Sequence, residues 1–259
     1  MEKLFKIKIL VLTTVVVSAL TLTGCSSSSD SAPATVSGIY LGTITGGDAS
    51  RNGAEEKAII YNNRMMVLSN NVDGVSQLFD ANLTDQAVSL AGAGNRYDAT
   101  GPEINIITYT GSYVAGQSAS VDFVESLSNL TGSMAFNVVP DVFEKGSSLA
   151  RLAGTWSGIF VKGSNATMTL SIGADGVIAA GSGDSGDGTD CGFTGSFSIP
   201  DATVNVYAIS LISDGGGVGC FVPANTYSGL AWTEGSADGT LVLMATNGVS
   251  GRAVVLTKN

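Results

Sequence analysis

Beyond about residue 36 the chain is a succession of short segments in which apolar and polar positions alternate, each closed by turn residues. "EKAIIYNN" (56–63), "MTLSIGADGVIAAG" (168–181), "TVNVYAISL" (203–211) and "GTLVLMATNG" (239–248) carry the pattern. A period of two over a few residues, rich in Val, Ile, Thr and Tyr, predicts strands with one face buried. In "GADGV" (173–177) and "SADGT" (236–240) an Asp-Gly pair sits between two such runs, which is the residue chemistry of a tight hairpin. No amphipathic helical spacing of useful length accompanies them. The strongest helical segment is the short "SSLARLAG" (147–154). The expectation is an all-β protein.

Three short blocks recur. "SGIYLG" (37–42) matches "AGTWSG" (153–158), "YTGSYVAGQSASVDF" (109–123) matches "FTGSFSIPDATVNVY" (193–207) with a one-residue gap, and "LTGSMAF" (130–136) echoes "YSGLAW" (227–232). Their order is the same in both halves. Their spacing is not, since the first two blocks lie 72 residues apart in one half (37 to 109) and 40 in the other (153 to 193). Two related β domains, diverged or rearranged, are the reading; the alternative is that generic hairpins in a Gly-rich β chain produce such short matches by themselves. The domains are expected at 36–139 and 153–259, joined by residues 140–152, where Pro140 interrupts strand pairing and charges suit an exposed connection.

The N-terminus has a different pattern. Lys3, Lys6 and Lys8 precede an apolar stretch from about Ile9 to Leu22, the charged and apolar regions of a secretory signal. The stretch is interrupted by Thr and Ser and is shorter than the roughly 20 apolar residues of a membrane-spanning helix. Leu22-Thr23-Gly24-Cys25 resembles the lipobox of bacterial lipoproteins. The resemblance implies a signal peptide over 1–24, cleavage before Cys25, and acylation of the Cys25 sulfur and new amino group, which together anchor the chain stably. Ser26, where an inner-membrane lipoprotein carries Asp, resembles the outer-membrane sorting signal. Residues 25–35 are then a lipidated polar tether. An ordinary signal peptide with an incidental cysteine is the alternative.

Charge and cysteine content narrow the partners. The chain has 12 basic and 22 acidic residues; without residues 1–24, which hold three lysines and Glu2, 9 basic and 21 acidic remain, a formal charge of −12. That surface argues against nucleic acid and fits either a basic partner or plain solubility. With Cys25 lipidated, Cys191 and Cys220 remain, an even pair that reads as one disulfide in an exported chain. A two-thiolate metal site is the alternative, and without any histidine it needs carboxylates to complete it. The bond requires Cys220 to lie outside a regular third strand, and so predicts an irregular loop over 213–225 folded across one mouth of a barrel.

"SLARLAGTWSGIF" (148–160) resembles the opening of a lipocalin, where a short helical turn leads to Gly-x-Trp on the first strand. "GTWSGIFVKGSNATMTLSIGADGVIAAG" (154–181) is similar to the start of avidin-type barrels. Both resemblances imply an up-and-down barrel of about eight strands, and the fold expected is two small antiparallel barrels in tandem after the signal peptide. The lipocalin pattern further implies that a late arginine, here Arg252, stacks on Trp156 to close one end. Otherwise Trp156 is simply a core aromatic. Biotin does not follow, because this half holds only Trp156 and Trp232 and lacks the avidin tryptophan cage.

The absence of histidine excludes Ser-His-Asp and Cys-His catalysis. Carboxylate chemistry is left to Glu55-Glu56, Asp122 with Glu125, and Glu234 with Asp238, all near loops or strand ends where charges are usually solvated. Asp184, Asp187 and Asp190 in "GSGDSGDGTDCG" are weak Ca²⁺ candidates, lacking EF-hand order and a closing glutamate, and a flexible hairpin loop is the better account of them. The expectation is a non-enzymatic outer-membrane lipoprotein, without cofactor, that binds an envelope protein or acts in an envelope assembly. A lipocalin-like carrier of a small apolar ligand is the second reading. An acidic inhibitor or immunity lipoprotein against a basic enzyme is the third, although the Tyr-x-Cys strand start of lipoprotein lysozyme inhibitors is missing.

Overall fold

A computed structural model describes residues 36–259 except 48, 50, 71–75, 87, 99–102, 160–166, 185–189, 217–219, 221 and 236. The first eight strands are β1 (Gly38–Gly46), β2 (Glu55–Tyr61), β3 (Arg64–Asn70), β4 (Ser76–Gln86), β5 (Ser89–Tyr97), β6 (Glu103–Val114), β7 (Ser118–Glu125) and β8 (Thr131–Val138). Two short helices follow, α1 (Pro140–Phe143) and α2 (Leu149–Leu152). The second set is β9 (Gly154–Ile159), β10 (Thr167–Ile172), β11 (Val177–Asp184), β12 (Asp190–Ser198), β13 (Tyr207–Ser213), β14 (Asn225–Glu234), β15 (Thr240–Thr246) and β16 (Gly251–Lys258). Each set closes on itself as an antiparallel eight-stranded barrel with neighbouring strands paired in chain order, and both barrels lie in one compact unit, Pro33–Asn259. The all-β chain expected from the alternation, and the tandem barrels implied by the resemblances, are the fold observed.

Turn chemistry sets the hairpins. Asn62 and Asn63, at φ 48° and 62°, form the two-residue link between β2 and β3, the left-handed pair that matches strand twist. At the Asp-Gly turn between β10 and β11, Gly176 sits at φ +81° and Asp175 accepts the Val177 N–H at 3.1 Å. Asp201 accepts the Thr203 N–H at 2.8 Å in the β12–β13 connection.

The strands differ in what covers their outer faces. β7, "SASVDFVE", alternates strictly between buried and exposed, because only its inner face has neighbours. β3 and β15 are buried almost throughout. Ile39, Ile59, Met66, Leu68, Leu78 and Tyr97, on the outer faces of β1–β5, pack against Leu230, Trp232, Val242 and Met244 on the outer faces of β14 and β15. The barrels therefore share a third apolar core, and the doubly covered strands carry continuous runs such as "MMVL" and "LVLM" in place of alternation.

The joint between the barrels differs from the exposed connection expected of it. Asn205 donates through Nδ2 to Val142 O at 2.9 Å and to Thr233 O at 2.6 Å, and its backbone N–H bonds Phe143 O. Val142 and Phe143 add to the inter-barrel core, and Lys145 pairs with Asp238. Pro140 opens α1, where its missing N–H costs nothing.

The register also resolves the repeated blocks. The first match aligns β1 with β9, each the opening strand of its barrel. The second aligns the β6–β7 hairpin with β12 and the connection leading to Tyr207 at the start of β13, and the third β8 with β14, so that β12 and β14 lie one hairpin away from the barrel positions of β6 and β8. Only the first block is topologically equivalent, which is why the spacings disagree.

Candidate functional site

Barrels of this kind offer three places for function: their ends, their interiors and their outer surfaces. The closed end of the second barrel is built on Trp156. It is fully buried, and its Nε1 donates to Leu152 O, four residues earlier, at 2.7 Å. The topologically equivalent Tyr40 of β1 donates its hydroxyl proton to Val36 O, also four residues earlier. Each barrel thus ties its first-strand aromatic back to the segment entering it.

The cation over Trp156 is Lys258, with Nζ 5.2 Å from the ring centroid, and not Arg252. Lys258 lies opposite Trp156 in the β16–β9 register, while Arg252 pairs with Ala245 six residues along the strand. At about 3.4 Å per residue the two backbone positions lie roughly 20 Å apart along the strand, at opposite ends of the barrel. Lys258 Nζ also donates to Arg151 O at 2.9 Å. Arg252 instead lies near the other mouth, where burial pulls its guanidinium down to about 10.

That other mouth carries the disulfide. Cys191 at the start of β12 is bonded to Cys220 in the β13–β14 connection, with Cα atoms 5.1 Å apart. The described residues between Ser213 and Asn225 form no strand, as the pairing required. Val222 of this loop is buried in the barrel core, and its carbonyl accepts the Ser213 hydroxyl at 2.9 Å. Beneath it, Met168, Phe193, Leu211, Tyr227 and Arg252 enclose a void of about 10 Å³. One water needs about that much, and a drug-sized ligand needs several hundred Å³.

The first barrel is plugged differently, by charge. Where β1, β3, β5 and β7 end, Glu125 is fully buried between two arginines, with Oε1 2.7 Å from Arg51 Nη2 and Oε2 3.0 Å from Arg96 Nη2. Asn105 and Ser128 each donate to Oε2 at 2.8 Å, and the Arg51 guanidinium lies 5.9 Å from the Phe123 ring centroid. Glu56 is buried alongside and accepts the Ser69 hydroxyl at 2.7 Å through Oε1. Among the described residues its Oε2 has no hydrogen-bond partner, nor has the buried Tyr109 hydroxyl. Burial pushes the Glu56 carboxyl up to about 8, against the opposing pulls of Ser69 and Arg51. Burial likewise drives the Tyr109 phenol upward.

The carboxylate pairs singled out in the sequence are separated. Glu55 and Glu56 point to opposite faces of β2, and Asp122 is exposed where Glu125 is buried. Glu234 pairs with Lys57 across the barrels, and Asp238 with Lys145 and, at 3.5 Å, Arg151. Cys25 lies outside the described residues, as does Asp187. Asp184 and Asp190 are placed by backbone alone, opposite each other across β11 and β12. Among the described residues no helix is long and apolar enough to cross a membrane, and no cluster of His, Cys, Asp or Glu could hold a metal ion.

Two features escaped the sequence reading. The inter-barrel face was signalled by the non-alternating runs. The Arg51–Glu125–Arg96 cluster was signalled only by Glu125, which continues the inward parity of Ala119, Val121 and Phe123. No family model matches the chain, and no curated protein is detectably similar to it.

Proposed function

We propose that the chain is a non-enzymatic outer-membrane lipoprotein, held by lipid on Cys25, whose paired barrels bind a protein partner or act in an envelope assembly. The observation that carries this reading is the small void in the second barrel: among the described residues, about 10 Å³ beneath the disulfide loop leaves recognition to loops and outer faces. It weighs against the apolar-ligand carrier. The separated carboxylates likewise favour a binding role over a hydrolytic one. A shared apolar core makes the pair of barrels a stiff body, suited to presenting its exposed face at a defined angle.

The test begins with the intact mass of the chain purified from detergent-solubilised envelope. Loss of residues 1–24 and acyl mass on Cys25 are expected; an unmodified cysteine overturns the anchor. Native mass spectrometry of what co-purifies then addresses the partner. A stoichiometric protein complex, reproduced from purified components, is the expected result. A bound small apolar molecule with no protein returns the carrier. A salt-sensitive complex that inhibits a basic enzyme instead favours the inhibitor reading, consistent with the mature charge of −12.

A further inference from the structure

We infer that the polar cleft between the two barrels is a binding site for a neutral saccharide. The cleft has a volume of about 420 Å³, within the range of small-ligand sites, and not one of its lining residues has an apolar side chain. The inference does not depend on the anchor or on a protein partner.

One wall comes from the first barrel. Arg64 opens β3 and grips Asp80 of β4 in a planar two-point pair, Nε to Oδ1 at 2.8 Å and Nη2 to Oδ2 at 2.9 Å. Asn82, two residues along, shares the Asp80 face and lies opposite Arg64 in register. The other wall comes from the second barrel. Thr226 and Ser228 share the outer face of β14, and Asn247 lies in the β15–β16 turn. Arg64 Nη2 also donates to Ser228 O at 3.3 Å, and Asn95 Nδ2 to Gly248 O at 3.4 Å, so the walls are tied together. Asn247 Oδ1 accepts the N–H groups of Val249 and Ser250 at 2.9 and 2.7 Å. Those bonds fix its carboxamide plane and leave Nδ2 to donate.

The chemistry eliminates other ligands. A lipid needs broad apolar contact and a protein hot spot a packed aromatic anchor, and this mostly polar lining provides neither. An anion would find the only guanidinium already neutralised by Asp80, on a chain of net charge −10. A cation would have to displace Arg64 from both Asp80 oxygens. What remains is a rigid, charge-compensated set of planar groups with donors and acceptors side by side. Neighbouring hydroxyls of a pyranose meet such groups two at a time. With no aromatic platform in the cleft, binding is weak, with a Kd on the order of 1 mM.

The test is amide chemical-shift perturbation on the isotope-labelled full chain, titrated with glucose, galactose and N-acetylglucosamine. Glucuronate and glucosamine serve as charged controls. At least one neutral sugar is expected to shift the amides of 80–82, 226–228 and 247–248 saturably. Asn82→Ala removes an exposed side chain, and Asn247→Asp keeps the turn acceptor while deleting the free donor. Each should weaken binding about fivefold, the worth of one hydrogen bond, with the remaining spectrum unchanged. No saturable shift from any neutral sugar, shifts mapping elsewhere, or a preference for glucuronate overturns the inference. So does unchanged affinity in both variants.

Discussion

Replacing Glu56 by glutamine should stabilise this protein, and by an amount that depends on pH. In the folded chain the Glu56 carboxyl holds its proton up to about pH 8, and the ordinary value is 4.5. Between those values the folded state binds more protons than the unfolded state, so stability falls as pH rises through the window. Below pH 4.5 both states are protonated and the penalty vanishes. At 1.36 kcal/mol per pH unit the loss is about 3 kcal/mol at pH 7 and about 5 kcal/mol above pH 8. Glutamine is nearly isosteric with the neutral acid, retains an acceptor for the Ser69 hydroxyl, and never ionises. Urea unfolding of both proteins at pH 4.5, 7 and 8.5 measures the difference directly, since every other titrating group cancels between them. The variant should match the parent at the lowest pH and gain steadily above it. A difference that stays flat across the range, or a variant less stable at pH 7, would mean that Glu56 is ionised in the fold and held by Arg51, and the reasoning from desolvation fails.

Glu125→Ala leaves Arg51 and Arg96 buried without their shared carboxylate, and should cost about 3 to 5 kcal/mol in urea unfolding, against less than about 0.5 for the exposed neighbour change Asp122→Ala. Lys258→Ala removes the cation over Trp156 and a bond to Arg151 O; thermal melts should show a loss of about 1 kcal/mol, whereas Lys258→Arg should retain most of it. Cys191→Ser with Cys220→Ser opens a loop spanning 29 residues and should lower stability by roughly 3 to 4 kcal/mol; an unchanged midpoint under oxidising conditions would refute that. Trp232→Ala strips the inter-barrel core of its largest side chain, and calorimetry should resolve two transitions where the parent shows one.

What the sequence by itself determined is local. A period of two, Asp-Gly turns, and the absence of sustained helical spacing were enough for all-β hairpins, because each depends on residues a few positions apart. The eight-stranded barrel was implied by the lipocalin and avidin resemblances of the second half, and the Cys191–Cys220 bond by an even pair of thiols. What only the tertiary structure decided depends on closure. Which cation meets Trp156 is a matter of register between the first and last strands of the barrel, and a strand of known sequence does not reveal which of its ends lies beside Trp156. The Arg51–Glu125–Arg96 cluster joins a loop, β5 and β7, none adjacent in the chain, and charges that look solvated in isolation are buried because a closed barrel has an inside. The shared core and the cleft beside it arise the same way: runs such as "MMVL" and "LVLM" announce burial on both faces, but the partner that provides it is chosen only when two convex surfaces meet.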